Sequence, residues 1–336
     1  MSAALPGTTA PELSVVVVSF NTRGLLERCL VAVRDATVEI SCEMIVVENA
    51  SSDDSAEWVR AHWPQVRLMV NRENRGYAPA CNQGLRAAGA PLVMALNSDA
   101  FPAVDALAAM IRHLREHPEA AAVGPRLLNA DGTTQWVCAR RTPELLPQWL
   151  GCTLLPAYLP ALRPYVARCY PVGWYDADHE TQVLSGACIL YRKQTLERYG
   201  LLDERLILNY DDVEWSLRAR RQGARLRYEP RAKVTHLGGG SRLIDPGTSR
   251  IADVTSTFTF WEIAFARPVA LLFKLTLLSS LALSLGYSMA LGIFSRSRRH
   301  SASQRMKLLT HGLRSLPRAA AGAAAPDMAD GARAAR

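Results

Sequence analysis

A chain of 336 residues, 49% of them hydrophobic, holds enough apolar material for one large domain or two modest ones, which excludes disorder along its whole length. Much of its formal charge of +8 comes from a C-terminal group, Arg296, Arg298, Arg299, Arg305, Lys307, Arg314 and Arg318, that directly follows an apolar segment. That placement suits anionic lipid headgroups, and no RNA- or DNA-binding motif accompanies it, so nucleic acid is not expected as a partner. The seven cysteines are odd in number and never spaced as C-x-x-C, which argues for a reducing compartment and against a structural zinc site. Residues 1–12 lack the basic and apolar regions of a secretory signal, and the body of the protein is expected in the cytoplasm.

Residues 14–20 (SVVVVSF) form a β-branched apolar run of the kind that is buried on both faces of a parallel sheet. A helix is expected near 24–34, a strand at 44–47, a helix at 54–62, strands at 67–70 and 92–96, and a helix at 78–88 between those two. This β-α-β-α alternation predicts an open α/β sheet with ligands at the carboxyl ends of its strands. After residue 123 the pattern changes, and Asp131-Gly132 between short extended runs predicts a hairpin. The Pro-rich stretch 143–171 reads as loops and short helices that serve an acceptor. A strand over 183–191, a helix over 211–222 and a strand over 232–236 follow.

Residues 275–294 are uncharged and mostly apolar, of about the length (~20 residues) that a bilayer requires. A single crossing from a cytoplasmic body would place the Arg/Lys-rich tail outside, against the positive-inside tendency, so an interfacial or re-entrant segment fits better, with a buried core helix as the alternative. From about residue 319 the Ala/Gly/Pro-rich tail reads as disordered. The expected organisation is an extension at 1–12, the main domain at 13–266, a membrane-associated helical segment at 267–300 and a basic tail at 301–336.

Three clusters carry chemistry. Leu96-Asn97-Ser98-Asp99 ends an apolar strand, where oxygen ligands can meet a hard divalent cation that shares its shell with substrate phosphates; the same pattern also serves as a turn or helix cap. Asn209-Tyr210-Asp211-Asp212-Val213-Glu214 places three carboxylates at a helix start. They either complement the macrodipole, or hold one carboxyl at a raised pKa suited to accepting a proton from a hydroxyl. Val234-Thr235-His236-Leu237-Gly238-Gly239-Gly240 runs a strand into a glycine turn that lets backbone N–H groups approach phosphate, beside a histidine able to bind metal or diphosphate.

In this order the clusters resemble the family 2 glycosyltransferases with the GT-A fold, particularly their rhamnosyltransferase-like branch, over residues 13–241. The segment Val17-Val18-Ser19-Phe20-Asn21 is similar to the family's first strand and nucleotide loop, and Val46-Val47-Glu48-Asn49-Ala50-Ser51-Ser52-Asp53 to its second. Asn74-Arg75-Gly76-Tyr77-Ala78 and Cys81-Asn82-Gln83-Gly84 are similar to its donor-side segments. The resemblance implies a GT-A type open, mostly parallel sheet flanked by helices. It also implies donor nucleotide binding by Ser19, Asn21, Glu48, Asn49, Ser51, Asp53, Arg75, Gly76, Asn82 and Asn97. Ser185-Gly186-Ala187 resembles an acceptor-side segment, giving Ser185 and Gly186, and Asp99 with His236 stands for the site of Mg²⁺ or Mn²⁺. Asp212, beside Asp211, stands for the catalytic base. The sequence departs from the family's pattern at Ser98 (commonly proline), Glu48 (aspartate) and Asp211 (glutamate).

The implied reaction is an inverting transfer of a sugar, L-rhamnose by branch, from a nucleoside diphosphate to an acceptor hydroxyl. A lipid-linked saccharide in envelope polysaccharide synthesis, met at the cytoplasmic face of a bacterial inner membrane, is the expected acceptor. A nicotinamide-dependent enzyme would need G-x-G-x-x-G after the first strand, where this chain has Ser19-Phe20-Asn21-Thr22-Arg23-Gly24. A nucleotidyltransferase would need a glycine-rich triphosphate loop there. The alternative of another class is an inactive membrane-associated scaffold that keeps the fold.

Overall fold

A computed structural model describes residues 10–144, 173–206, 208–238 and 246–292, with isolated positions between 146 and 164 and residue 310. The expected loops at 143–171 fall mostly outside the described residues, as do Gly239, Gly240 and the basic tail.

The apolar run near the N-terminus forms β1 (Leu13–Ser19), buried along its full length. It is flanked by two parallel partners, β2 (Cys42–Glu48) and β4 (Leu92–Asn97), with Val15 opposite both Met44 and Met94. Successive side chains of a strand point to opposite faces, so a run of valines must be covered on both. Val15 and Val17 pack with Leu26 and Leu30 of α1 (Arg23–Ala36) and with Leu107 and Met110 of α4 (Ala106–Glu116). Val16 and Val18 pack on the other face with Leu85 of α3 (Tyr77–Ala87) and Trp215 of α6 (Asp211–Arg221). Helix α2 (Ser55–His62) and β3 (Arg67–Val70), paired parallel to β2, complete this half.

The second half corrects the expectation of a mostly parallel sheet. The strand order is β3-β2-β1-β4-β10-β6-β11-β5, with β8 also on β11. Here β5 is Ala100–Pro102, β6 is Ala120–Leu128, β8 is His179–Thr181, β10 is Cys188–Arg192 and β11 is Arg225–His236. Strand β10 runs antiparallel to both β4 and β6, and β5 and β8 are antiparallel to β11. Only β11 and β6 are parallel in this half, so the sheet is mixed.

Two expected strands change shape. The stretch 183–191 divides into β9 (Val183–Leu184), which pairs with β7 (Ala139–Arg140), and β10, because Ser185–Ala187 turn aside with the Cys188 N–H on the Ser185 carbonyl at 3.3 Å. The strand expected from 232 begins at Arg225; the register shift between Glu229 and Lys233 surrounds Pro230, which has no N–H to give a ladder. The Asp131-Gly132 turn forms with Gly132 at φ 82°, but the hairpin beyond it is reduced to one bridge, Leu128 to Thr134.

Helices α7 (Pro246–Ala264) and α8 (Arg267–Gly292) pack back on the domain. Phe260, Trp261, Phe273 and Leu277 share a cluster with Val213 and Leu217 of α6, and Trp261 is stacked between Phe265 and Phe273, each with centroids 4.3 Å away. Lys274, though 2% exposed, is paired with Glu262. Among the described residues no helix is long and apolar enough to cross a membrane. Helix α5 (Lys193–Tyr199) covers β10.

Gly84 sets how closely α3 lies on β1, since a Cβ there would fall 2.2 Å from Val16 Cγ1. Replacing Gly84 by alanine should cost about 1–3 kcal/mol through overpacking. In urea titrations the midpoint should fall with the slope unchanged, and an unchanged midpoint would contradict the packing described.

Candidate active site

The strand order reverses direction at β1, with β2 on one side and β4 on the other, and such switch points open a crevice at the carboxyl ends of the strands. The loops that line it are stitched together by polar side chains. Asn21, in the left-handed region at φ 51°, receives the Ser52 N–H on Oδ1 at 2.7 Å and gives its own N–H to Ser51 Oγ at 2.8 Å. The Arg23 N–H reaches Asp53 at 2.8 Å. Glu48 is buried and accepts from Ser51 N–H at 2.8 Å and from the Ser51 hydroxyl. Asn49, also buried, donates to Asn74 Oδ1 at 2.8 Å and to the Gly76 carbonyl at 3.2 Å, while its Oδ1 accepts from the Arg75 N–H at 3.1 Å. Gly76 has φ 82°, the conformation that favours glycine as the chain enters α3.

Of the residues expected to hold a nucleotide, Asn21, Ser51, Asp53, Arg75 and Gly76 therefore gather on the rim, with Glu48 and Asn49 bracing them from below. Ser19 is fully buried, with its hydroxyl 3.2 Å from that of Thr22. Asn82 lies elsewhere: it is 1% exposed and commits its amide to the Leu202 N–H and carbonyl and to Glu204.

At the end of β4 the Asn97 N–H donates to the Ala187 carbonyl at 3.0 Å, and Ser98 bonds Thr22 at 2.9 Å. Asp99 Oδ1 lies 3.4 Å from His236 Nε2, because β5 and β11 pair with Ala100 opposite His236 and the Leu237 N–H bonds the Asp99 carbonyl. Gln135, which the sequence patterns did not single out, fixes the histidine. Its Nε2 donates to the His236 carbonyl at 2.5 Å, so its Oε1 is the atom 2.9 Å from His236 Nδ1. An amide oxygen only accepts, which puts a hydrogen on Nδ1, and in the Nδ1–H tautomer the Nε2 lone pair faces the carboxylate. That tautomer, held by an outer partner, is the one a metal ligand needs.

The third group stands at the start of α6. Asp212 Oδ2 accepts the Gly186 N–H at 2.9 Å, with Arg140 Nη2 3.9 Å away. Asp211 is 6% exposed; burial, and next the charge of Asp212, hold its carboxyl well above the usual carboxylate range. Tyr210, at φ 68°, turns the chain into α6 and stacks on Phe260 with centroids 4.8 Å apart. Ser185 lies beside Gly186, its N–H 3.4 Å from the Cys138 carbonyl. Sequence inspection missed Gln135 and Arg140 because each works singly, with no neighbouring pattern to mark it.

A second set of metal-ligating atoms, from His113, His117 and Asp178, lies within 4.8 Å of one another near the start of β11, at the other end of that strand from His236. Arg227 occupies its centre, with Nη2 2.7 Å from Asp178 and 3.3 Å from His117 Nε2, and Nε 3.4 Å from His113 Nε2. A guanidinium there fills the space and repels a cation, so Asp99 and His236 remain the better-formed pair.

The family model for glycosyl transferase family 2 matches residues 14–200, more than half of the chain. An N-acetylglucosaminyl-diphospho-decaprenol L-rhamnosyltransferase from Mycobacterium tuberculosis is 28% identical over 259 residues, 74% of this chain and 83% of that one. A poly-beta-1,6-N-acetyl-D-glucosamine synthase from Staphylococcus aureus is 27% identical over 194 residues, 56% of this chain and 41% of that one. Among solved structures, a mannosyltransferase from Pyrobaculum calidifontis in complex with GDP-Man and Mn²⁺ aligns with TM-score 0.51 and 20% identity over 92% of this chain and 87% of that one. GalNAc-T7 with UDP, GalNAc and Mn²⁺ aligns with TM-score 0.50 and 15% identity over 69% and 44%. These two likenesses concern the fold.

A carboxyl whose folded pKa is raised stabilises fully below its unfolded value, here 3.8, and that contribution is lost as pH rises through the folded pKa. Asp211→Asn, neutral at every pH, should gain thermal stability relative to the unaltered chain as pH rises toward neutrality. Melting curves across pH test this, and a difference independent of pH would contradict the burial of an acid at this position.

Proposed function

The chain belongs to glycosyl transferase family 2, and from that premise we propose that it moves a sugar, L-rhamnose, from a nucleoside-diphosphate donor to a hydroxyl of a lipid-linked saccharide. The observation that carries the reading is the meeting at one sheet edge of the Asp99–His236 pair, the braced loops after β1 and β2, and Asp212. The L-rhamnosyltransferase likeness supports the donor sugar and the lipid-linked acceptor.

In this reading the loops at Asn21, Ser51 and Asp53 and the segment Arg75–Gly76 seat the nucleotide. Asp99 and the Nε2 of His236 would hold Mg²⁺ or Mn²⁺, which when bound neutralises charge on the departing diphosphate. Asp212, one oxygen tied to the Gly186 N–H, takes the proton of the acceptor hydroxyl as that oxygen forms its bond to the anomeric carbon. The bond from that carbon to the diphosphate breaks on the opposite side, so the configuration inverts. Arg140 keeps positive charge beside the carboxylate, and burial disfavours a second negative charge on Asp211.

The setting proposed is the cytoplasmic face of a bacterial inner membrane, in envelope polysaccharide synthesis. Leu271, Leu272 and Leu275 support membrane contact, because they are 46%, 52% and 49% exposed on α8 and the Arg/Lys-rich tail follows that helix.

Three outcomes are expected. Deoxythymidine diphosphate, the carrier that the rhamnosyltransferase-like resemblance implies, should raise the melting temperature with Mg²⁺ or Mn²⁺, and Asp212→Asn should lower turnover by about 10²-fold or more while leaving that shift intact. An Asp212→Asn protein with full turnover would remove the base assignment. Exchanging Leu271, Leu272 and Leu275 for serine should also reduce co-sedimentation with phosphatidylglycerol vesicles several-fold, without altering nucleotide binding. Equal sedimentation would rule out this face as the contact.

A further inference from the structure

We propose that Trp136 is a stacking platform for the acceptor's sugar ring, an assignment that rests on the transferase reading above. The segment that carries it links the two halves of the site. At one end Gln135 brackets His236 through its carbonyl and its Nδ1. At the other, the Cys138 carbonyl accepts the Ser185 N–H, and Arg140 reaches to 3.9 Å from Asp212. A chain tied to His236 at one end and reaching Asp212 at the other links the proposed metal pair to the proposed base, and the acceptor must bring its hydroxyl to that base.

Within that run Trp136 is 64% exposed, although its backbone is firmly held. Its carbonyl accepts the Tyr175 hydroxyl at 2.7 Å. Tyr175 is itself buried and set edge-on to Tyr228, whose hydroxyl donates to the Tyr175 carbonyl at 3.0 Å. Cys138, two residues on, is 1% exposed. The indole is thus offered to solvent by an ordered backbone anchored in the core on both sides. A large aromatic ring left in water forfeits the burial that usually stabilises it, and a bound ring restores that burial. The ligand class follows from the place: a pyranose has an apolar face of C–H bonds that lies on an indole, with the hydroxyls around its rim left free for polar contacts. As an acceptor platform, Trp136 governs acceptor affinity rather than nucleotide binding.

The test uses the full chain and its Trp136→Ala and Trp136→Phe variants. Ligand-observed saturation-transfer NMR with methyl glycosides of N-acetylglucosamine, rhamnose, mannose and galactose should show transfer to at least one glycoside. That transfer should be lost in Trp136→Ala and partly kept in Trp136→Phe. With N-acetylglucosaminyl-diphospho-decaprenol as acceptor, Trp136→Ala should raise the acceptor KM roughly tenfold, with kcat and the nucleotide-induced melting shift unchanged. Unchanged saturation transfer and acceptor KM in Trp136→Ala, or no glycoside signal from the unaltered chain, overturns the platform. Vesicle co-sedimentation that falls in Trp136→Ala while glycoside binding stays constant also overturns it, in favour of a membrane contact. Failure of the unaltered chain to respond to any nucleoside diphosphate is a different result and removes the transferase reading itself.

Discussion

The Gly186 N–H that donates to Asp212 joins the two halves of this molecule at the point where they must agree. One half is the parallel set β3-β2-β1-β4, whose carboxyl ends carry the loops around Asn21, Asn49 and Asp99. The other holds β10, β6, β11 and α6. Ser185–Ala187 belong to both, since the Ala187 carbonyl accepts from Asn97 while the Gly186 N–H points to Asp212. A side chain at Gly186 would crowd Asp212: a Cβ would lie 3.2 Å from Asp212 Cβ and 3.6 Å from Oδ2, so the carboxylate would have to give by a few tenths of an ångström. The break that divides one long strand into β9 and β10 is therefore what brings the carboxylate to the edge where β4 ends.

The loops after β1 and β2 are held differently. Asn21, Ala50 and Asp54 all have positive φ without being glycine, a conformation that costs of order 1 kcal/mol or more each for most residues. Side-chain bonds offset that cost: Asn21 to Ser51 and Ser52, Glu48 to Ser51, and Asp53 to Arg23 and Ser55. The result is a pair of tight loops whose backbone is already set, so that little ordering remains when a ligand binds.

How much of this is legible in the sequence depends on whether the signal is local. The valines of β1 announce a doubly covered strand, and Asn97-Ser98-Asp99 and Asp211-Asp212 announce themselves by adjacency. Asn82 sits in a segment that matches the family's pattern, yet its amide is spent on Leu202 and Glu204, over a hundred residues away in sequence. Gln135 and Arg140 are no more than polar residues in a loop until β11 and α6 are folded beside them. The antiparallel insertion of β10 is likewise invisible in a buried apolar run, because such a run has the same composition whichever way its neighbours point. Residues 225–231 alternate charged and apolar side chains and contain Pro230, so their strand is masked by features that belong to its exposed edge and bulge.

The C-terminal helices show why the boundary between a catalytic domain and an attached segment is hard to draw here. Tyr210, one residue before the acidic pair, stacks on Phe260 of α7, and Asn209 bonds Asp253 of the same helix. Phe260 and Trp261 in turn pack with Phe273 of α8, and the Lys274–Glu262 pair fixes the register of α8 against α7. Removing either member of that pair leaves a charge beside an apolar interface, which is costlier than losing an exposed ion pair, although Glu262 is 40% exposed and water screens part of the effect. The outward leucines of α8 and the first turn of α6 are thus joined through one continuous layer of aromatic side chains. The α7–α8 contact and the turn that leads into Asp212 rest on the same packed layer, and for that reason the two helices are part of the site's foundation.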